Sequence, residues 1–215
     1  MSFFTGEVQI SDQDIYTANS AGGIGSGSGT GVQFGRFRLG QRGVTKDGRV
    51  FRYARIGAVA AVAGSLYQSS APVPNHLAMT PSAASIGATS VSLTLGATAA
   101  TANQYAEGYL QVDTTPGNGI SYLVQSHAAI GSAGTGTINI DPESPIQVAL
   151  TGSSRVGLIA NPYADLIVCP TTVTAVPMGV PLVAAGIGTY CWVQTWGFCP
   201  VLINGTPGVG AGVTA

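Results

Sequence analysis

The sequence predicts an all-β protein: a β-sandwich or barrel-like base, an inserted β module and an extended N-terminal arm. Three observations carry this. Short runs alternate apolar and polar residues, as where Val91, Leu93 and Leu95 interleave with Ser92 and Thr94. Turn clusters such as Thr115-Pro116-Gly117-Asn118-Gly119 and Asp141-Pro142-Glu143-Ser144-Pro145 separate these runs at the spacing of a sandwich or barrel. No stretch holds an i, i+3, i+4, i+7 apolar face with caps, because alanine is always interrupted by Gly, Ser or Thr. With 215 residues, the chain can bury a core as one all-β domain or two small ones.

Residues 1–47 read as the arm. Ala18 to Gly31 runs ANSAGGIGSGSGTG, which is a flexible coil unless a neighbour clamps its backbone. The arm is therefore expected to lie on a partner. Positive charge gathers beside it: Arg36, Arg38, Arg42, Lys46, Arg49, Arg52 and Arg55 leave only Arg155 elsewhere among the 8 basic residues. Such a cluster is a footprint for an anionic partner. Residues 49–56 then alternate as a strand, with Arg49, Phe51, Tyr53 and Arg55 on one face and Val50, Arg52, Ala54 and Ile56 on the other. An arginine on both faces suits a strand held between its own fold and a partner surface. The alternative is a solvated edge strand guarded by arginine.

Pro72, Pro74 and Pro81 mark one boundary and Asn161-Pro162-Tyr163 a second. They divide the remainder into a base of residues 48–80 and 166–215 and an inserted, outward-facing module of residues 82–165. Strands are expected at 91–95, 109–113, 120–125, 137–140, 146–150, 156–160 and 166–169. Residues 189–196 read TYCWVQTW, placing Tyr190, Trp192, Gln194 and Trp196 on one face and Cys191, Val193 and Thr195 on the other. With Phe51 and Tyr53, the aromatics Tyr190, Trp192 and Trp196 are candidates for the core or an interface. Val201-Leu202-Ile203 runs into Asn204-Gly205, a hairpin-turn pair.

Composition narrows the function classes. Charged residues make up 8% of the chain, against about 25% in ordinary soluble domains. The longest charge-free apolar run, residues 56–66, contains two glycines and falls short of the roughly 20 residues a membrane span needs. Disorder is disfavoured, since net charge is −1 and aliphatic residues abound. The N-terminus MSFFTGEVQI has neither a basic nor an apolar leader region. A net charge near zero favours association, so much of the surface is expected to be covered by other subunits. A Ser/Thr-coated β protein that simply lacks charge is the plainer alternative.

A search for chemistry finds little. His76 and His127 stand in unrelated contexts, and no Cys, His, Asp and Glu grouping has metal-ligand spacing. There is no Gly-x-Ser-x-Gly elbow, and the Gly-rich tract lacks the Gly-Lys-Ser/Thr ending of a phosphate loop. Asp141 and Glu143, the closest acid pair in the module, sit in a proline-rich turn. Three cysteines, Cys169, Cys191 and Cys199, with no C-x-x-C are expected to be reduced, although Cys191 and Cys199 can pair across a hairpin after release from a cell. Asn204-Gly205-Thr206 matches a glycosylation sequon that turn chemistry explains equally well. Trp192, Gln194 and Trp196 also offer a sugar-stacking face. No catalytic residue, cofactor or metal is expected.

Several ordered motifs resemble small structural proteins of tailed bacteriophages. They are Asp47-Gly48-Arg49-Val50-Phe51-Arg52-Tyr53-Ala54 with Gly57-Ala58 and Gly64; residues 96–105 with Glu107-Gly108-Tyr109 and Gly119-Ile120-Ser121-Tyr122; and Tyr190-Cys191-Trp192-Val193-Gln194-Thr195 with Gly197. Cys191 stands where the group usually has glycine, and the likeness spans about residues 36–205. The resemblance implies a capsid decoration, or cement, protein: all-β, non-enzymatic, and bound on the outer capsid surface of the virion after synthesis in the host cytoplasm. Its partners would be the major capsid protein and itself, as a homodimer or homotrimer, with no nucleic acid and no membrane. The arm and the basic segment would make the capsid contact. A phage fibre or adhesin domain binding carbohydrate is the alternative, and a hydrolase built on His127 is a third.

Overall fold

The computed structural model describes residues 7–16, 18 and 37–203. The strands are β1 (Val8–Gln9), β2 (Arg42–Val44), β3 (Val50–Arg55), β4 (Tyr67–Gln68), β5 (Ser90–Thr94) and β6 (Tyr109–Thr114). They continue as β7 (Ser121–His127), β8 (Thr135–Ile140), β9 (Arg155–Ile159), β10 (Ile167–Val168), β11 (Pro177–Pro181) and β12 (Tyr190–Trp196). Helix among the described residues is confined to α1 (Asp12–Ile15) and a 3-10 turn at Pro74–His76, and no helix there is long and apolar enough to cross a membrane. The fold is all-β.

The chain divides into a split unit, residues 1–71 with 162–215, and a middle unit, residues 72–161. The sequence reading places these boundaries at 82 and 165 instead. Residues 72–81 join the middle unit because Met79 and Pro81 bridge to its strands. Residues 162–165 join the split unit because Asp165 pairs with Arg55.

In the split unit the sheet order is β1-β2-β3-β12-β11-β4-β10. Beyond β10 the hydrogen bonding returns to β3: Leu166 and Ile56 form a parallel bridge, with Leu166 N–H donating to Arg55 O at 2.9 Å and Gly57 N–H to Leu166 O at 2.9 Å. The sheet thus closes into a barrel-like ring. Ala54, Ile56, Tyr67, Leu166, Cys191 and Val193 cluster together. The opposite side of β3 and β12 carries Phe51, Tyr53 and Trp192, with Ile10 and Ile15 packed on them. Both faces of β3 therefore carry core residues, because alternate side chains of this central strand point to opposite faces.

The arm is thus corrected in its described part. Val8 and Gln9 pair in parallel with Gly43 and Val44, β2 pairs with β3, and Ile10 and Ile15 are buried. The surface on which this part lies is the chain's own sheet. Ser11 caps α1, with its hydroxyl accepting from Asp14 N–H and its own N–H donating to the Asp14 carboxylate. The Gly/Ser tract beyond Ala18, Arg36 and the Asn204-Gly205 turn lie outside the described residues.

The middle unit has sheet order β5-β8-β7-β6-β9, and one short segment joins both edges. Met79 exchanges two 2.8 Å hydrogen bonds with Val156 of β9, while Ser82 N–H donates to Ser92 O of β5 at 2.8 Å. Alternate residues of each strand, including Val91, Leu93, Leu110, Val112, Tyr122, Val124, Ile138, Ile140, Val156 and Leu158, make the buried interior. The strand expected at 146–150 is a loop. Ile146 and Leu150 are buried while residues 147–149 are exposed, so the segment drops two aliphatic plugs into the core without a ladder between them.

Candidate interaction surface

Three of the seven basic residues pair with acids among the described residues. Arg42 pairs with Glu7. Arg49 Nε donates to Asp47 Oδ2 at 2.7 Å and its guanidinium lies over Phe51. Hydrogen bonds from Thr45 first and Arg49 second hold the Asp47 carboxyl below its ordinary value. Arg52 Nη1 donates to Gly40 O at 2.7 Å. Arg55 grips Asp165 through two bonds of 3.0 and 2.8 Å. Arg38 is half-buried, and Lys46 stands exposed. Exposed pairs of this kind contribute about 0–1 kcal/mol each, so they tie local segments down more than they stabilise the fold. The sequence shows Asp47 inside the basic stretch, but not the pairing of Arg42 with Glu7 or of Arg55 with Asp165, because those acids are remote in sequence.

The aromatic residues separate. Phe51, Tyr53 and Trp192 are buried, Tyr190 stacks on Tyr53 with centroids 5.7 Å apart, and Trp196 is 73% exposed. The split arises in β12, where Gln194 opposes Phe51 but Trp196 opposes Val50. This bulge moves Trp196 to the parity of Thr195, off the face that Trp192 shares with Phe51 and Tyr53. Trp192, buried in the core, cannot belong to a sugar-stacking face.

Beyond the bulge the chain makes a fixed apolar ribbon. Gly197 has φ +94°, and a Cβ there would lie 3.0 Å from Arg49 Cγ, so glycine lets the backbone cross the Arg49 side chain. Gln194 is buried, and its Nε2 donates to Trp196 O at 3.1 Å and Phe198 O at 2.9 Å. Leu202 N–H donates to Gly64 O at 2.8 Å, tying the far end back to the barrel. The backbone is anchored, yet Phe198 is 95% exposed, and Val201, Leu202 and Ile203 are exposed as well. Beside the ribbon lies an open cleft of about 490 Å³, lined by Val180, Gln194, Thr195, Trp196, Gly197 and Cys199. None of these six residues carries a charge. Exposed apolar side chains on a hydrogen-bonded backbone make this segment a candidate contact surface. The sequence held one sign of it in Val201-Leu202-Ile203 and none at Phe198.

The remaining candidates for chemistry are built into the fold. His76 and His127, unrelated in sequence, meet around Tyr105 inside the middle unit. The Asp141 carboxylate accepts Glu143 N–H at 3.0 Å as turn structure. Cys169, Cys191 and Cys199 are free thiols, with Cys191 in the barrel core. No group of three metal-ligating side chains occurs among the described residues. Neither a family model, nor a curated protein, nor a solved structure matches the chain.

Proposed function

We propose that the chain is a non-enzymatic structural protein of a phage virion, which binds the outer capsid surface and cements neighbouring major capsid protein subunits. The observation that carries this reading is the anchored apolar ribbon, with Phe198 95% and Trp196 73% exposed on a protein that is only 8% charged. Burying roughly 300 Å² of these two rings contributes about 8 kcal/mol before association costs. Immobilising a subunit costs about 4–15 kcal/mol, so one ribbon gives weak attachment and several on one oligomer give durable attachment. This favours a homodimer or homotrimer seated on a symmetric shell. The basic segment acts here as a neighbour of the ribbon, since Arg49 lies against Gly197. The experiment is cosedimentation of the purified chain with phage heads that lack it, alongside its mass in solution.

Trp196 beside an uncharged cleft supports a second reading, a fibre or adhesin domain stacking a saccharide on that ring. A glycan array separates the two: saccharide binding lost on Trp196→Ala, without head binding, favours the adhesin.

A further inference from the structure

Both histidines of the chain sit on one tyrosine in the middle unit, and their hydrogen bonds fix where each proton lies. His127 Nδ1 is 2.8 Å from Ala128 O, which can only accept, so Nδ1 carries the hydrogen. His127 Nε2 is 3.1 Å from Tyr105 N, whose N–H can only donate, so Nε2 offers its lone pair. His76 repeats the arrangement: Nε2–H donates to Thr98 O at 2.8 Å, and Nδ1 accepts from the Tyr105 hydroxyl. Tyr105 is 2% exposed, and burial pushes its phenol up to about 12. Asn103 clasps the same spot, its Oδ1 accepting His127 N–H at 3.0 Å and its own N–H donating to His127 O at 3.0 Å.

We propose that the His76–Tyr105–His127 cluster is an acid-sensitive latch, which holds residues 98–108 on the middle barrel at neutral pH and releases them when His127 takes up a proton. The second proton has one place to go, Nε2, where it would face the Tyr105 N–H and set two donors against each other. The groups facing His127 are the Tyr105 amide, the Ala128 carbonyl, Asn103 and His76; Glu107 is the one acid within residues 98–108. Burial lowers the His127 pKa below 6.5, and the charge His76 would carry lowers it further, against the Ala128 carbonyl. A folded pKa below the open-state value means that the closed form is fully favoured above about pH 6.5. That advantage is lost as pH falls through the folded pKa, because the open form binds the proton first.

Hydrogen exchange on the intact chain, near pH 7.5 and near pH 5 and corrected for intrinsic rate, tests the latch. Protection at Asn103, Tyr105, Glu107 and Gly108 is expected to fall on acidification, to a ceiling of about thirtyfold at pH 5 for an open-state pKa near 6.5. Amides of β3 and β12 serve as the control, since the split unit contains no histidine. His127→Gln keeps an acceptor for the Tyr105 N–H and cannot be protonated, so its protection should fall distinctly less than the wild type's between the two pH values. PH-independent protection in the wild type, or an equal fall in wild type and variant, overturns the latch. So does a folded wild-type His127 ring that titrates by NMR at or above 6.5, a readout that does not depend on the variant folding.

Discussion

Trp192 and Trp196, four residues apart on one strand, occupy opposite environments: Trp192 is 2% exposed and Trp196 73%. Parity alone puts them on one face. The bulge between Gln194 and Trp196 separates a core anchor from an exposed ring, and the two should behave differently on substitution.

Trp192→Ala should destabilise the fold by about 3–5 kcal/mol, as for any buried aromatic truncation. Trp196→Ala should change stability by no more than about 0.5 kcal/mol. Urea midpoints check both. In the wild type, acrylamide should quench one of the two tryptophans, and the Trp196 variant should retain only blue-shifted, protected emission.

Gly179 supports the ribbon from β11. It has φ +143°, and a Cβ there would lie 2.6 Å from Gln194 O, a backbone atom that cannot swing away. Gly179→Ala should cost at least about 2 kcal/mol by thermal or urea unfolding.

Asp165 has φ 53° and grips Arg55 across 110 residues of sequence. Asp165→Ala loses the bidentate pair and leaves a β-carbon residue in the left-handed region, so a cost of about 1–2 kcal/mol is expected. Asp165→Asn, which tolerates that conformation, should cost less than about 1 kcal/mol because the pair is partly solvated. Equal urea midpoints for the two variants would contradict this account of Asp165.

The thiols should separate by burial. Cys191 is fully buried, and burial pushes its thiol up to about 12. Cys169 and Cys199 are half-buried and also raised by burial, with Arg49 opposing at Cys199. Since the thiolate is the reactive form, a thiol reagent followed by mass spectrometry should label Cys169 and Cys199 slowly in the native protein. Cys191 should be labelled only on unfolding.

Strands whose alternation faces one core were legible in the sequence, as at β5, β6 and β7, because a half-buried strand must repeat every second residue; β9 and β12 were legible from their apolar and aromatic runs. β11 was not, since prolines at 177 and 181 and glycine at 179 break up its strand pattern; both prolines sit at strand ends, where a missing N–H is tolerated. The loop at residues 146–150 imitated a strand because Ile146, Val148 and Leu150 alternate, although only its ends, Ile146 and Leu150, are buried and backbone-bonded to residues 84–88. Ring closure through Leu166–Ile56 and Met79–Val156 rests on single bridges, which leave no pattern in sequence. The same holds for the site. Clustered arginines are visible in the chain, but two of the three acids that pair with them, Glu7 and Asp165, are remote, and a bulge leaves no signature that would have marked Trp196 as exposed.

The most direct measurement of the central claim is occupancy of phage heads that lack the protein, titrated with wild type and with the Trp196→Ser, Phe198→Ser double variant. The double variant should fold with an unchanged urea midpoint and lose about tenfold or more in apparent affinity. Arg42→Gln and Lys46→Gln should bind nearly as wild type. Undiminished occupancy by the folded double variant, or failure of the wild type to bind heads at all, would contradict attachment through the apolar ribbon.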